Sequence, residues 1–197
     1  MSYELITALT LFAFVSSITP GPNNLMLMAS GANFGFRRSV PHMFGVTVGF
    51  VLMIVLVGVG LVQVFEAYPL SNIVLKVVSI AYLLYLAIKI ATAAPIEKGE
   101  TAGTPLTFLQ AALFQWVNPK AWTMAVTGVT VYTSNNALTS IAIVALVFGA
   151  INLPSIGSWT FLGQQMARIL TSPRRLVLFN RTMALLLVAS LYPVLFS

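Results

Sequence analysis

The residues best suited to chemistry in this chain are amides, a lysine and a threonine that stand beside prolines in two places. One place is the motif Thr19-Pro20-Gly21-Pro22-Asn23-Asn24, and the other is Asn118-Pro119-Lys120. Pro20 and Pro119 are 99 positions apart, and each motif interrupts a long apolar run. Proline frees backbone carbonyls, which hydrocarbon tolerates only where protein, water or a ligand takes up those groups. Matched breaks in two halves of a chain therefore point to a transport site.

The two breaks predict two half-helices whose N-termini suit a carboxylate. Thr19 and Asn118 are suitable N-caps, with Pro20 and Pro119 as first helical residues. Helix N-termini offer unpaired N–H groups and partial positive charge, and the preceding half-helices offer carbonyls. We expect a zwitterion, with its carboxylate near Lys120 and its ammonium against carbonyls and amide oxygens. The predicted substrate-binding residues are Thr19, Pro20, Pro22, Asn23, Asn24, Gln115, Asn118, Pro119, Lys120 and Asn152.

Other interpretations of single residues stay open. Either proline alone could be a packing kink, and Lys120 could lock two helices together through carbonyls. Asn152 belongs to the predicted sites because Asn152-Leu153-Pro154 forms a third polar point where a helix could kink. His42, the one histidine of the sequence, falls just inside a predicted span, a position more typical of a structural residue than of a proton carrier.

The composition indicates an integral membrane protein. Of 197 residues, 58% are hydrophobic and 7% are charged, against roughly a quarter charged in a soluble domain. The sequence has no cysteine, which excludes disulfides, thiolate metal sites and cysteine nucleophiles, and we expect no cofactor and no metal. The net charge of +6 comes from ten Lys and Arg scattered around apolar segments, so we expect no nucleic-acid partner.

The apolar runs predict six membrane spans in one transmembrane domain, residues 1–197. A helix needs about 20 apolar residues to cross a bilayer. The predicted spans are residues 5–34, broken at 20–24; 40–65; 73–94; 106–132, broken at 118–120; 137–162; and 176–196, with a polar linker at 97–105. The predicted fold class is therefore an all-α integral membrane protein whose first and fourth helices are broken at proline motifs.

The spans also predict an internal repeat. A shift of 99 residues places Pro20 on Pro119 and Gly58 on Gly157, which gives halves at about residues 1–98 and 99–197. Three spans per half is an odd number, so the second half must insert upside down relative to the first. This is the inverted-repeat plan of many secondary transporters.

The charges predict the orientation. The loops after the first, third and fifth spans carry Arg37, Arg38, Lys89, Lys98, Arg168, Arg174 and Arg175. The opposite side has Glu4, Glu66 and Lys76. By the positive-inside rule, both termini face away from the cytoplasm. The start of the chain lacks the features of a cleaved signal peptide, so we expect a retained first span.

The missing carboxylates restrict the solute. The sequence has no Asp, and Glu4, Glu66, Glu97 and Glu100 all fall at span ends or in loops. A cationic side chain would find no buried carboxylate, so small neutral solutes are favoured over lysine or arginine. The same absence leaves no evident residue to carry a proton.

These motifs resemble the lysine exporter superfamily. The likeness rests on Thr19-Pro20-Gly21-Pro22-Asn23-Asn24, the following Gly35-Phe36-Arg37-Arg38-Ser39, the segment from Gly45 to Gly49, and Asn118-Pro119-Lys120. Within the superfamily, the chain is most similar to the homoserine/threonine efflux group, which includes cysteine and O-acetylserine exporters. The resemblance implies a multi-pass exporter of amino acids or their derivatives in the bacterial inner membrane, driven by the proton motive force. It implies a transporter and not an enzyme.

Other functions stay open at this point. A passive channel for small zwitterions would use the breaks as a filter, and a basic amino acid exporter is a further alternative. An intramembrane enzyme or a structural membrane partner is harder to reconcile with a sequence that has no Cys, no Asp and one His. Gly31 with Gly35 and Gly45 with Gly49 have the spacing of close helix packing, within one chain or in a homodimer.

Overall fold

The computed structural model describes residues 1–68, 70–93, 103–133 and 138–195, and in these residues the fold is all-helical, without a strand. This confirms the predicted all-α class. Most of the predicted linker at 97–105, and the predicted boundary between the halves at 98 and 99, lie outside the described residues.

The helices of the described residues have the following bounds. In chain order they are α1 (Tyr3–Ile18), α2 (Pro22–Phe34), α3 (Phe36–Leu56), a π-helical turn (Val57–Leu61), α4 (Val62–Ala67), α5 (Leu70–Ala91), α6 (Phe108–Phe114), a 3-10 turn (Gln115–Val117), α7 (Pro119–Tyr132), α8 (Leu138–Ala167), α9 (Pro173–Ala189) and α10 (Tyr192–Leu195).

Several of these helices have the length and apolar character of membrane spans. In the described part of the chain, three are long and apolar enough to cross a membrane: Phe36–Leu61, α5 and α8. The pair α1 and α2, bent by 52°, makes a fourth if it is counted as one span. The predicted fourth and sixth spans correspond to shorter helices, since α6 and α7 are separated at the second break and α9 has 17 residues.

The outer faces of these helices are apolar. On α5, for example, Ile73, Val74 and Val77 are 61%, 54% and 60% exposed. In water such a face would be unfavourable, whereas lipid accepts it at no cost in hydration. The exposed apolar surface is that of an integral membrane protein.

Glycines allow two pairs of helices to pack with their backbones nearly in contact. A Cβ on Gly31 of α2 would meet the backbone carbonyl of Thr160 on α8, and a Cβ on Gly45 or Gly49 of α3 would meet the backbone of α6. The close packing predicted for these three glycines therefore takes place within one chain. It brings α2, α3, α6 and α8 together around the two breaks.

An apolar cluster joins the helices that flank the two breaks. It includes Leu9 of α1, Phe50 of α3, Ala125 of α7 and Phe148 of α8. The rings of Phe50 and Phe148 meet edge to face at 5.4 Å between centroids. This cluster fixes the helices that carry the candidate site.

Candidate functional site

The first break, between α1 and α2, lies slightly later in the chain than the sequence predicts. Thr19 is the C-cap of α1, and its N–H donates to the Val15 carbonyl at 3.2 Å. The N-cap of α2 is Gly21, and Pro22 is its first helical residue. The prediction that Thr19 caps this half-helix and that Pro20 begins it is therefore wrong by two positions.

The two prolines explain the difference. Proline disfavours helical backbone in the residue that precedes it. Thr19 precedes Pro20 and Gly21 precedes Pro22, and both are extended, with ψ of 147° and 175°. The helix therefore cannot include Gly21. The Thr19 hydroxyl points back along α1 instead, where it donates to the Ser16 carbonyl at 3.2 Å.

The carbonyls freed at the first break already have donors within the chain. The side-chain amide of Asn24 donates to the carbonyls of Ser17 and Thr19 at 2.8 and 2.7 Å. The indole of Trp159 donates to the carbonyl of Ile18 at 2.9 Å. Donors of the chain therefore already occupy the carbonyls that the sequence analysis offers to a substrate ammonium. Asn24 lies seven and five positions from its two acceptors, whereas Trp159 comes from α8, so the break is held both by its own motif and by a tertiary contact.

The second break, between the 3-10 turn Gln115–Val117 and α7, has the predicted geometry. Asn118 is the N-cap, with its side-chain oxygen accepting from the Lys120 N–H at 3.2 Å, and Pro119 is the first helical residue. The Asn118 carbonyl accepts from the Trp122 N–H at 3.2 Å. This break is therefore closed by its own residues.

Lys120 joins the two breaks. Its Nζ donates to the Thr19 carbonyl at 2.7 Å, to the Thr19 hydroxyl at 2.9 Å and to the Pro20 carbonyl at 3.3 Å. These contacts give Lys120 the helix-locking role that the sequence left open, and they use all three protons of an ammonium. The lysine still brings a positive charge to the space between the breaks.

Both helix N-termini line one crevice, which holds about 320 Å³ of empty space, part of it open to the outside. Among the described residues of its wall, Lys120 is the one charged side chain. Gly21, Asn23 and Asn24 come from the start of α2, and Asn118, Lys120 and Ala121 from the start of α7. The first N–H groups of a helix have no partner inside it, so two such ends and a lysine favour an anion.

Five of the predicted residues line this crevice: Asn23, Asn24, Asn118, Lys120 and Asn152. The other five surround it. Gln115 is fully buried beside the crevice in a reciprocal amide pair with Asn23, at 2.8 and 3.2 Å. Thr19 and Pro20 are exposed and hold Lys120, while Pro22 and Pro119 begin the two helices.

Asn152 reaches the crevice from α8, a helix that continues through Pro154 without interruption. Its side chain is 5% exposed, accepts from the Thr47 hydroxyl at 3.3 Å and lies 3.5 Å from the Ser17 hydroxyl, to which it donates. Asn152 therefore ties α8 to α3 and to the end of α1 at the level of the crevice.

Sequence reasoning missed several residues of the wall: Ser16, Ser17, Gly21, Phe50, Ala121 and Met124. Ser16, Ser17 and Gly21 adjoin the first break, so proximity in sequence could have identified them. Phe50 had no such signal. Trp116 and Trp122 pack against each other with ring centroids 6.1 Å apart, beside the apolar cluster.

Comparison with known proteins identifies the family. The family model described as LysE type translocator matches residues 14–192, which include both breaks and the whole crevice. The chain belongs to the LysE type translocator family. It is accordingly an integral membrane transporter and not an enzyme, as the motifs at the two breaks predicted.

The relatives of this LysE type translocator match it over nearly their full length. It is 28% identical over 190 residues to the cysteine/O-acetylserine efflux proteins of Escherichia coli (strain K12) and of Shigella sonnei (strain Ss046), with 95% of this chain and 96% of each relative covered. No solved structure is significantly similar to this chain.

Proposed function

We propose that this LysE type translocator exports small neutral amino acids or their derivatives, of the cysteine, O-acetylserine, homoserine or threonine type. The observation that carries the proposal is that two helix N-termini and Lys120 line one crevice. Such an arrangement suits the carboxylate that all these solutes share. The curated relatives that are named for cysteine and O-acetylserine efflux support the choice of solute.

The amine has fewer partners than the sequence suggested, because donors of the chain occupy the freed carbonyls. The side-chain nitrogen of Asn24 faces those carbonyls, which turns its oxygen away from them. We assign the ammonium to this oxygen and to the hydroxyls of Ser16 and Ser17, which line the same crevice. The remaining predicted substrate residues position these groups from around the wall.

The lining favours a neutral solute over a basic one. No carboxylate is among the described residues of the crevice wall, and the sequence has no Asp. A lysine or arginine substrate would place a second cation beside Lys120 with no anion to balance it, which is costly at low dielectric. The basic amino acid alternative is therefore disfavoured.

The packing pattern supports six spans arranged as two inverted halves. The second helices of the halves, α3 and α8, pack on each other, and so do the third helices, α5 and α9. In addition, α8 packs on α1 and α2, while α3 packs on α6 and α7. Each second helix thus contacts the broken helix of the other half, as a pseudo-twofold axis requires.

We also propose that the protein lies in the bacterial inner membrane with both termini in the periplasm, and that the proton motive force drives export. Arg37, Arg38, Lys89, Arg168 and Arg175 support this orientation through the positive-inside rule. A homodimer remains a prediction without a packing argument, because Gly31, Gly45 and Gly49 pack within one chain.

The experiment that tests the function is export with growth rescue. The chain is expressed in a bacterium inhibited by excess amino acid, and growth and external solute are measured for cysteine, O-acetylserine, homoserine, threonine and lysine. We expect rescue by one or more of the neutral solutes, lost in Lys120→Met and kept in the matched control Lys76→Met on α5. Collapse of the proton gradient in vesicles should stop the flux.

Three outcomes would contradict parts of the proposal. Export of lysine alone would establish the basic alternative. Flux that does not saturate and shows no counterflow would establish a channel. Rescue by neutral solutes that persists at full rate in Lys120→Met would remove the crevice from the transport path.

A further inference from the structure

A second and larger cavity lies beside the later turns of α2. It holds about 950 Å³ of empty space, part of it open to the outside, against about 320 Å³ for the crevice. Its wall is largely apolar, with Met26, Leu86 and Ile90, and carries polar groups from Ser30 and His42. An apolar cavity with a few convergent polar groups is typical of a small-molecule site.

His42 is the most informative residue of this wall. The side chain is 1% exposed, and neither Nδ1 nor Nε2 has a hydrogen-bond partner among the described residues. A buried polar group without a partner costs free energy, and such groups are rare in folded proteins. Both ring nitrogens are closed off in this conformation, so a small shift of the cavity wall would let a ligand supply the missing partner.

One face of α2 connects the crevice to this cavity. Asn23 lines the crevice, and Met26, Ser30 and Asn33 line the cavity. Because these residues follow one another at intervals of three or four, they lie on a single side of the helix. Asn23 is paired with buried Gln115, so this amide pair lies at the crevice end of the shared face.

The cavity has a cationic rim. Lys89, in the last turn of α5, is exposed and lines the cavity. The Arg38 guanidinium lies 5.7 Å from the ring centroid of Phe34 and donates to the Gly103 carbonyl at 3.3 Å. Phe34 and Gly103 both belong to the cavity wall, and no carboxylate is among its described residues. Positive charge at a mouth attracts a carboxylate.

We propose that this cavity is a second binding site for the transported amino acid, with its carboxylate toward Lys89 and a polar group hydrogen-bonded to the imidazole of His42. The inference rests on the proposed function, to which it adds a site that the solute occupies before it reaches the crevice. The solute then passes along the Asn23, Met26, Ser30 and Asn33 face of α2 to reach the crevice. In the proposed orientation, the rim with Arg38 and Lys89 faces the cytoplasm, which is the side from which an exporter takes up its solute.

Cysteine labelling provides a direct test, because the sequence contains no cysteine. Ile90→Cys puts a thiol in the cavity wall, and Ile88→Cys puts one on the outer face of the same helix, where Ile88 is 64% exposed. Both variants are placed in membrane vesicles with a membrane-permeant maleimide and increasing O-acetylserine. We expect the solute to slow labelling at position 90 and to leave position 88 unchanged.

The role of His42 is tested in the same background. His42→Leu should raise the O-acetylserine concentration that half-protects position 90 about fivefold, the effect of losing one hydrogen bond, and His42→Gln should return it to within about twofold. Lys89→Met, an exposed change that leaves the core intact, should raise it about threefold. A purely structural role for His42 would lower protein abundance without altering the half-protecting concentration of the folded fraction.

Transport of O-acetylserine in the same vesicles separates the two proposals. Saturable transport with no protection at position 90 would overturn the second site and leave the export function standing. A thiol at position 90 that never reacts, or whose reaction depends on lipid and not on O-acetylserine, would also overturn it. Absence of both transport and protection would refute the proposed function and this inference together.

Discussion

The two helix breaks carry similar residues but are stabilised in different ways. At the second break, Asn118 caps α7 with its own side chain, and Pro119 begins the helix. At the first break, Gly21 offers no side chain as a cap, and the free carbonyls of α1 are bonded by residues from α2, α7 and α8. The second break is therefore closed by its own residues, whereas the first depends in addition on Lys120 and Trp159 from distant parts of the bundle.

The difference indicates which break can rearrange. A break closed by neighbouring residues keeps its shape while the surrounding helices move. A break held by Asn24, Lys120 and Trp159 depends on the position of α7 and α8. Transporters work by moving one group of helices against another around the site. We expect the first break to change during transport and the second to remain fixed, and the predictions below test this contrast.

Lys120→Met should have the largest effect, because it removes the link between the breaks. Three donor contacts to Thr19 and Pro20 disappear, and hydrogen bonds to charged groups are worth about 1.5 to 3 kcal/mol each in favourable cases. We expect stability to fall by about 3 kcal/mol and export to fall to the background of cells without the protein. Thermal unfolding of the purified protein and the export assay measure the two effects.

Lys76→Met serves as the matched control, since it removes a lysine from α5, away from both breaks. Lys120→Arg sharpens the result, because it keeps the charge and the donors in a longer, planar group. Export retained by Lys120→Met at wild-type rate would mean that transport needs neither the link between the breaks nor the lysine of the crevice.

Asn24→Leu should have the next largest effect, and at the first break alone. It removes two hydrogen bonds to the Ser17 and Thr19 carbonyls from a side chain that is 3% exposed. At about 1 kcal/mol each, the loss is about 2 kcal/mol, and export should fall about tenfold or more. Asn24→Asp keeps the shape without the donor, so it should be at least as damaging. Full stability in both variants would mean that the Asn24 side chain does not hold this break closed.

Asn118→Ala tests the local cap and should cost less. Loss of an N-cap side chain costs about 1 kcal/mol, without disturbing contacts elsewhere in the bundle. Asn118→Asp keeps the cap and should restore stability, but it adds a negative charge to the crevice and should raise the KM for O-acetylserine about tenfold. Separate measurement of unfolding and KM distinguishes the two roles. Equal KM values for Asp and Asn would argue against a carboxylate at this N-terminus.

The same contrast explains how far the sequence could predict the structure. The second break was predicted to the residue, because an Asn-Pro pair specifies its own cap and helix start. The first was misplaced, because Thr19 also looks like a cap and the constraint imposed by Pro22 on Gly21 was overlooked. Local chemistry that involves neighbouring residues was readable from the sequence.

Hydrogen-bond partners that come from distant parts of the chain could not be predicted from the sequence. The indole of Trp159 lies 141 positions from the Ile18 carbonyl that it binds, and Asn23 pairs with Gln115 across 92 positions. No motif near the breaks indicates either contact. The sequence identified five of the crevice residues from their polarity and proximity to proline, whereas Phe50 and Met124 look like any other core residue.

Gly21→Ala should have the smallest effect, and it isolates the contact between the breaks. Gly21 has φ of −174° and ψ of 175°, which any residue adopts, so no backbone strain arises. A Cβ there would lie 2.6 Å from Cδ and 3.1 Å from Nζ of Lys120, so the flexible lysine stem must shift. Gly21 is buried, but the atoms that must move belong to a flexible side chain, so we expect stability to fall by about 1 kcal/mol or less and export to fall a few fold.

A double-mutant cycle tests whether this small effect acts through Lys120. If the added methyl group acts by displacing the lysine, then Gly21→Ala should lower binding of O-acetylserine in the wild-type background and have no further effect in Lys120→Met. Residues in direct contact give such non-additive results, whereas independent sites add. Additive effects would mean that the alanine disturbs the start of α2 itself, and the first break would then be more locally determined than its hydrogen bonds indicate.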